Sequence, residues 1–170
     1  MNPRTRTTLL VGAALALAAC ASEAGEDASP SAPATPPASD AATAPDATAI
    51  LEALYPSRTE PPSELVVVDL VEGDGAAAAA GGTAVVHYWG LRWSDGGTFD
   101  ASWNRGQTFS FALGAGQVIR GWDVGVEGMQ VGGRRVLVIP PELGYGDRGA
   151  GGVIGPGETL VFIVDLVGTR

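Results

Sequence analysis

From Ser63 to the C-terminus the chain is built of short apolar runs cut by glycine. Residues 64–75, "ELVVVDLVEGDG", and 83–93, "TAVVHYWGLRW", read as strands, and the two-residue alternation of the second puts Val86 and Tyr88 on one face. "TFSFALG" (108–114) alternates strictly, with Phe109, Phe111 and Leu113 on one side. "RRVLVIP" (134–140) and "ETLVFIVDLVG" (158–168) are two more strands. In the last, Leu160, Phe162, Val164 and Leu166 share one face, and Val161, Ile163 and Val167 the other. "SDGGT" at 94–98 marks a turn. One stretch breaks the period of two: Val118, Ile119, Trp122, Val126 and Met129 recur at one, three and four residues, a helical stripe. Gly121, Gly125 and Gly128 each cost it roughly 1 kcal/mol relative to alanine, so the spacing predicts a short helix held by tertiary packing. The whole predicts an α+β fold, an antiparallel sheet closed over one short helix.

The first 63 residues have a different texture. Arg4 and Arg6 precede an apolar run of 11 residues, Leu9–Ala19, in the range of a signal peptide and well short of the ~20 that a membrane-spanning helix needs. The run ends in "LAAC", which resembles the bacterial lipobox, with the chain's one cysteine, Cys20, at the position that is lipidated. Residues 1–19 are therefore expected to be a lipoprotein signal peptide. Residues 21–49 are alanine, proline, serine, threonine, acidic residues and one glycine, without Val, Leu, Ile, Met or an aromatic. Such a segment buries too little to offset its ordering entropy, so residues 20–49 are expected to form a disordered tether. Its reach is roughly 30 Å root-mean-square. Residues 50–63 read as a connecting segment, in which "AILEALYP" (49–56) forms a short helix before "EPP" (60–62) stops it. Residues 64–170 are the folded domain.

Charge removes several function classes. Nineteen acidic residues face ten basic ones, all arginine, for a net charge of −9. Removal of residues 1–19 would take two arginines and leave −11. No basic footprint for nucleic acid exists. One cysteine and one histidine exclude a disulfide framework and argue against a Cys/His zinc site. His87, between Val86 and Tyr88, reads as structural. There is no G-x-S-x-G, and the glycine clusters match neither a P-loop nor a dinucleotide fingerprint. No acidic pair is singled out by glycosidase-like spacing. What remains is a set of rings: Tyr88, Phe99, Phe109, Phe111, Trp122, Tyr145 and Phe162. They suit plain core packing or an apolar groove; Asp100 beside Phe99, and Tyr145 between glycines, point toward a groove with a few polar groups.

Six ordered motifs make the reading specific: "VVHYWG", "GTFDAS", "TFSFALG", "VIRGWDVGVEGMQVGGRR", "IPPELGYG" and "ETLVFIVDLV". Together they resemble the FKBP-type peptidyl-prolyl cis-trans isomerases, the macrolide-binding immunophilins, across about 64–170. The resemblance implies a bent, five- to six-stranded antiparallel half-barrel around one short helix. It implies Trp122 as the pocket floor, with Tyr88, Phe99, Phe109 and Phe162 as walls and Val118, Ile119 and Ile154 at the rim. Asp100, Ile119, Trp122 and Tyr145 would be the catalytic set: Asp100 as a polar wall, the Ile119 N–H and the Tyr145 hydroxyl holding substrate carbonyls. Neither cofactor nor metal is implied.

The expected activity is rotation about Xaa-Pro bonds of exported polypeptides, with the domain lipid-anchored outside the cytoplasmic membrane. Macrolides such as tacrolimus or rapamycin are candidate ligands, and the expected state is a monomer. The alternative is a non-catalytic FKBP-like binding or chaperone module at the cell surface; the joint presence of the four catalytic positions favours the enzyme. Two loop positions depart from the family: Ala150 stands where eukaryotic members often have His, and Gly155 where many have Pro. The hairpin "LRWSDGGT" is about one residue longer than in the smallest members and adds Trp93, which reads as a half-exposed turn residue in preference to an extra substrate contact.

Overall fold

The structure, a computed structural model, describes residues 44–170. Cys20 and the signal-peptide and tether readings up to residue 43 lie outside the described residues. Six strands form one antiparallel sheet: β1 (Val66–Val71), β2 (Thr83–Arg92), β3 (Thr98–Ala101), β4 (Phe109–Ala112), β5 (Arg134–Ile139) and β6 (Leu160–Thr169). The order is β1-β5-β6-β2-β3, with β4 also paired to β2. Two short strands thus share one long neighbour: β4 lies along Thr83–Val86, and β3 along Trp89–Leu91. That arrangement carries the chain from one end of β2 to the other and sets Phe99 and Phe109 on flanking strands.

The sheet is antiparallel, as the alternating runs predict, and open, and its two faces bury separate cores. On the inner face Val86 and Tyr88, Phe111, Leu137 and Ile139, and Leu160, Phe162, Val164 and Leu166 pack against Trp122, Val126 and Met129. One residue leaves its expected place. Val167 is 45% exposed rather than packed with Val161 and Ile163. A bulge falls where Val85 pairs with Gly168 and Val86 with Leu166, so Val167 has no partner in the register and turns outward.

The expected short helix is α2 (Arg120–Gly125), briefer than its apolar stripe. Ile119 is still extended (φ −63, ψ 148), and Gly128 (φ +78) carries the chain away in a conformation that other residues rarely adopt. Two glycines let the helix lie on β5. A β-carbon at Gly121 would stand 2.5 Å from the Ile139 side chain, and one at Gly125 2.7 Å from Leu137. Gly121→Ala is accordingly expected to destabilise the domain by about 1–3 kcal/mol through overpacking, outweighing the gain in helix propensity. Urea unfolding checks this.

The outer face holds a finding that composition conceals. Helix α1 (Ala47–Leu54) starts within the stretch assigned above to the tether. Asp46 caps it, its Oδ1 accepting the Ala49 N–H at 3.0 Å, and alanine is the strongest helix former. Ala47 and Leu51 bury against Leu91, Trp93, Val136, Val138, Val161 and Ile163. Trp93 is therefore 6% exposed and core, not a half-exposed turn residue, and Tyr55 meets its ring edge-on at 4.9 Å. Beyond α1, the same face carries a bidentate pair between Arg134 and the buried Asp165 (2.6 and 2.7 Å). His87 also faces outward, stacked on Trp103 at 4.2 Å with Nδ1 3.0 Å from the Ser102 hydroxyl, which suits its structural reading.

Candidate active site

A cavity of about 190 Å³ opens on the inner face. Its lining is Tyr88 from β2, Phe99 and Asp100 from β3, Phe109 from β4, Phe162 from β6, Gln117, Val118 and Ile119 leading into α2, Trp122, and Tyr145. Nine of the ten residues singled out in the domain are brought together here. The tenth, Ile154, is buried in the inner core beside the cavity and lines instead a depression formed by residues 148–156. Its own loop folds over it and takes it off the rim.

Trp122 is the base on which the walls stand. Tyr88 and Phe162 meet its ring edge-on at 5.2 Å, Phe111 at 5.5 Å and Phe109 at 6.1 Å. Edge-to-face pairs of this kind contribute roughly 0.5–1.5 kcal/mol each beyond area burial. Phe99 stands perpendicular to Phe162 at 5.5 Å, and both rings press on the bare backbone of Gly90. A β-carbon at Gly90 would lie 2.7 Å from Phe99 and 3.0 Å from Phe162, so the wall exists because residue 90 has no side chain. The approach to the helix is fixed by Asp123, whose carboxylate accepts the Gly114 and Gly116 N–H groups at 2.8 and 3.0 Å. Gln117 accepts the Ala112 N–H at 2.9 Å.

The polar part is small and tightly tied. Asp100 accepts the Tyr88 hydroxyl on one oxygen and Arg105 on the other, and Arg105 also donates to the Tyr88 oxygen at 2.8 Å. Its guanidinium lies 5.7 Å from the Tyr88 ring centroid. Sequence reading missed Arg105 and Gln117. Arg105 reaches Asp100 only because the 3-10 turn Trp103–Arg105 folds it back over β3, a geometry with no apolar periodicity to announce it. Burial pushes the Asp100 carboxyl up, but the hydrogen bonds from Tyr88 and Arg105 outweigh that and hold it below the usual aspartate value. Burial, then the bond to Asp100, raises the Tyr88 phenol, which stays protonated. Burial and the nearby Asp100 charge likewise raise Tyr145.

A depressed carboxyl stabilises the fold fully above its unfolded value of 3.8, and the benefit is lost as pH falls through the lower folded value. Asp100→Asn is therefore expected to lower the melting temperature at neutral pH, where that benefit is full, and to converge with the parent as pH falls below about 4, giving a flatter acid limb. A pH series of thermal melts measures this. Among the described residues no acceptor lies on the Ile119 N–H and no partner on the Tyr145 hydroxyl, so two residues that line the cavity carry an uncommitted donor. Among the described residues no three His, Cys, Asp or Glu side chains gather to hold a metal ion.

Comparison with known proteins gives one consistent answer. The family model described as FKBP-type peptidyl-prolyl cis-trans isomerase matches residues 75–167. The FK506-binding protein of Streptomyces anulatus is 63% identical over 109 residues, spanning 64% of this chain and 88% of its own length. A probable FK506-binding protein of Corynebacterium glutamicum is 50% identical over 106 residues, 62% of this chain and 87% of that one. The crystal structure of AtFKBP13 superposes with a TM-score of 0.59 at 41% identity, covering 65% of this chain and 96% of that one. With its open antiparallel sheet, short helix and aromatic cavity, the chain belongs to the FKBP-type peptidyl-prolyl cis-trans isomerases.

Proposed function

We propose that the Trp122 cavity is where Xaa-Pro bonds are turned, by selective stabilisation of the twisted amide. Rotation faces a barrier of ~18–20 kcal/mol because it breaks amide conjugation, and unaided it takes tens to hundreds of seconds. The planar amide is the more dipolar form and is favoured by water; the twisted form has lost conjugation and suits a dry apolar site. A cavity walled by Tyr88, Phe99, Phe109, Trp122 and Phe162 therefore favours the transition state over the ground state. A preference of roughly 5–8 kcal/mol would accelerate rotation about 10⁴- to 10⁶-fold. The observation that carries this reading is the pair of uncommitted donors, the Ile119 N–H and the Tyr145 hydroxyl, on two residues that line a cavity walled mainly by aromatic rings. They suit the two carbonyls that flank a proline, while Asp100 gives the wall its one fixed charge.

The same cavity is the binding site we assign to a macrolide such as tacrolimus or rapamycin. Tacrolimus is expected to inhibit the isomerisation of a Leu-Pro peptide competitively, raising KM with kcat unchanged; inhibition without a KM change would place the ligand elsewhere. The physiological substrates in this reading are proline-containing segments of exported polypeptides, met by a monomer held at the outer side of the membrane through acylated Cys20. Palmitate labelling of the full chain in a bacterial host tests the anchor: label lost in Cys20→Ser supports it, and label retained, or absent from both, refutes it.

A further inference from the structure

We propose that Arg92 is a positioning residue for substrate choice, tying the loop that follows Tyr145 to the hairpin that carries Phe99 and Asp100. The inference rests on the isomerase reading of the cavity. The two sides of the cavity mouth belong to separate pieces of chain: Phe99 and Asp100 sit on β3, Tyr145 at the start of the loop 146–157. The loop closes at its base through the Gly157 N–H to the Gly146 carbonyl at 3.0 Å, and within itself through the Ala150 and Ile154 backbones at 3.0 Å each way. Its base therefore moves with its tip, and Tyr145 adjoins that base.

Arg92, at the end of β2, donates from Nη1 to the Val153 carbonyl at the tip, 3.0 Å away across 61 positions of sequence. Its remaining donors, Nε and Nη2, hold Asp95 in the hairpin turn at 3.0 and 2.8 Å, and Asp95 also accepts the Gly97 N–H at 2.8 Å. These bonds keep the Asp95 carboxyl down at about 2, so the fork stays charged and closed across ordinary pH. A second tie holds the far end of the loop: Glu158 accepts the Ser94 N–H at 3.0 Å and the Ser94 hydroxyl at 2.9 Å.

The hairpin is itself braced from behind. Trp93 is buried beneath α1, Tyr55 packs edge-on against it, and Arg58 donates to its carbonyl at 3.3 Å. Helix α1 and Arg58 lie outside residues 75–167, the stretch that the family model covers. One rigid path thus runs from α1 through Trp93 and Arg92 to Val153, and it sets the distance between Asp100 and Tyr145. A held mouth discriminates between the side chains next to proline, and a loosened one admits them more evenly.

The test compares the full chain with Arg92→Met, which keeps the aliphatic stem and loses the fork. The readouts are kcat/KM on Xaa-Pro peptides with Xaa as Gly, Ala, Leu, Phe and Glu, and amide hydrogen exchange at Ala150 and Ile154. The ratio between best and worst substrate is expected to shrink about 2- to 10-fold, the range a single hydrogen bond supports, with faster loop exchange. Glu158→Gln is expected to act in the same direction more weakly. A uniform fall across all peptides would show only lost folded protein, and it overturns the proposal. So does an unchanged ratio, whether or not loop exchange rises. Acceleration by the unaltered chain reports on the isomerase reading separately from the ratio, and loop exchange reads the tie without any substrate.

Discussion

Replacing Asp100 with leucine is expected to lower kcat/KM about 10- to 100-fold while the domain stays folded. The side chain closes one wall of the cavity and accepts from both Tyr88 and Arg105. Arg105 is half-exposed, so its half of the arrangement contributes little by itself. Tyr88 is different: its ring is 8% exposed and stands against Trp122, and its hydroxyl would be left with Arg105 alone. An imperfectly satisfied buried polar group costs about 1–3 kcal/mol, and each 1.36 kcal/mol lost from the transition state is tenfold in rate. Asparagine keeps an acceptor and should lose less than leucine. Steady-state kinetics beside a thermal melt separate the two effects, and a leucine variant as active as the parent would remove Asp100 from the chemistry.

Trp122→Ala should produce the largest loss of stability in the domain, about 3–5 kcal/mol in urea unfolding. The indole is 4% exposed, contacts four other rings edge-on and fills the space between α2 and the sheet. A domain of ordinary stability, about 5–15 kcal/mol, would survive at the cost of much of its margin. Phenylalanine should recover most of the stability. The Trp122 N–H is buried without a partner among the described residues, so a ring lacking it forfeits no hydrogen bond. If alanine costs less than about 1 kcal/mol, the inner core does not depend on this residue as its packing implies.

How far the sequence carried the fold depends on which residues leave a periodic trace. The alternation in residues 83–93 and 158–168 placed Tyr88 and Phe162 on the inner face because a strand with one face buried writes a period of two. The short strand β3 left no such trace; its four residues, Thr98–Ala101, are a strand only because they pair with β2. The α2 stripe marked the buried side correctly but overstated the helix, since apolar spacing continues through Val126 and Met129 although the helix ends at Gly125 and the chain turns at Gly128. Helix α1 was half-hidden. Alanine is scored as filler in an Ala-Pro-Ser tether, yet Ala47 is buried once Leu51 has a sheet face to lie on.

The site followed a similar division. Rings and glycines at fixed spacing pointed to Trp122, Tyr88 and Phe99 because bulk and its absence are visible in one dimension, and the family resemblance then assigned their roles. Arg105 and Arg92 were not legible. Each acts through hydrogen bonds, back to β3 or across to Val153, that depend on a turn or on two loops meeting in space. Ile154 shows the reverse limit: an apolar residue in a rim loop reads as lining, but the loop's own Ala150–Ile154 bridge folds it into the core.

The most direct test of the cavity reading is NMR on the full chain with a Leu-Pro-Phe peptide, recording cis/trans exchange and intermolecular nuclear Overhauser contacts in one sample. The expected result is exchange much faster than in buffer, with proline ring protons in contact with Trp122, Phe99 and Phe162. Exchange no faster than in buffer, or fast exchange with proline contacts confined to residues 148–156, would contradict it.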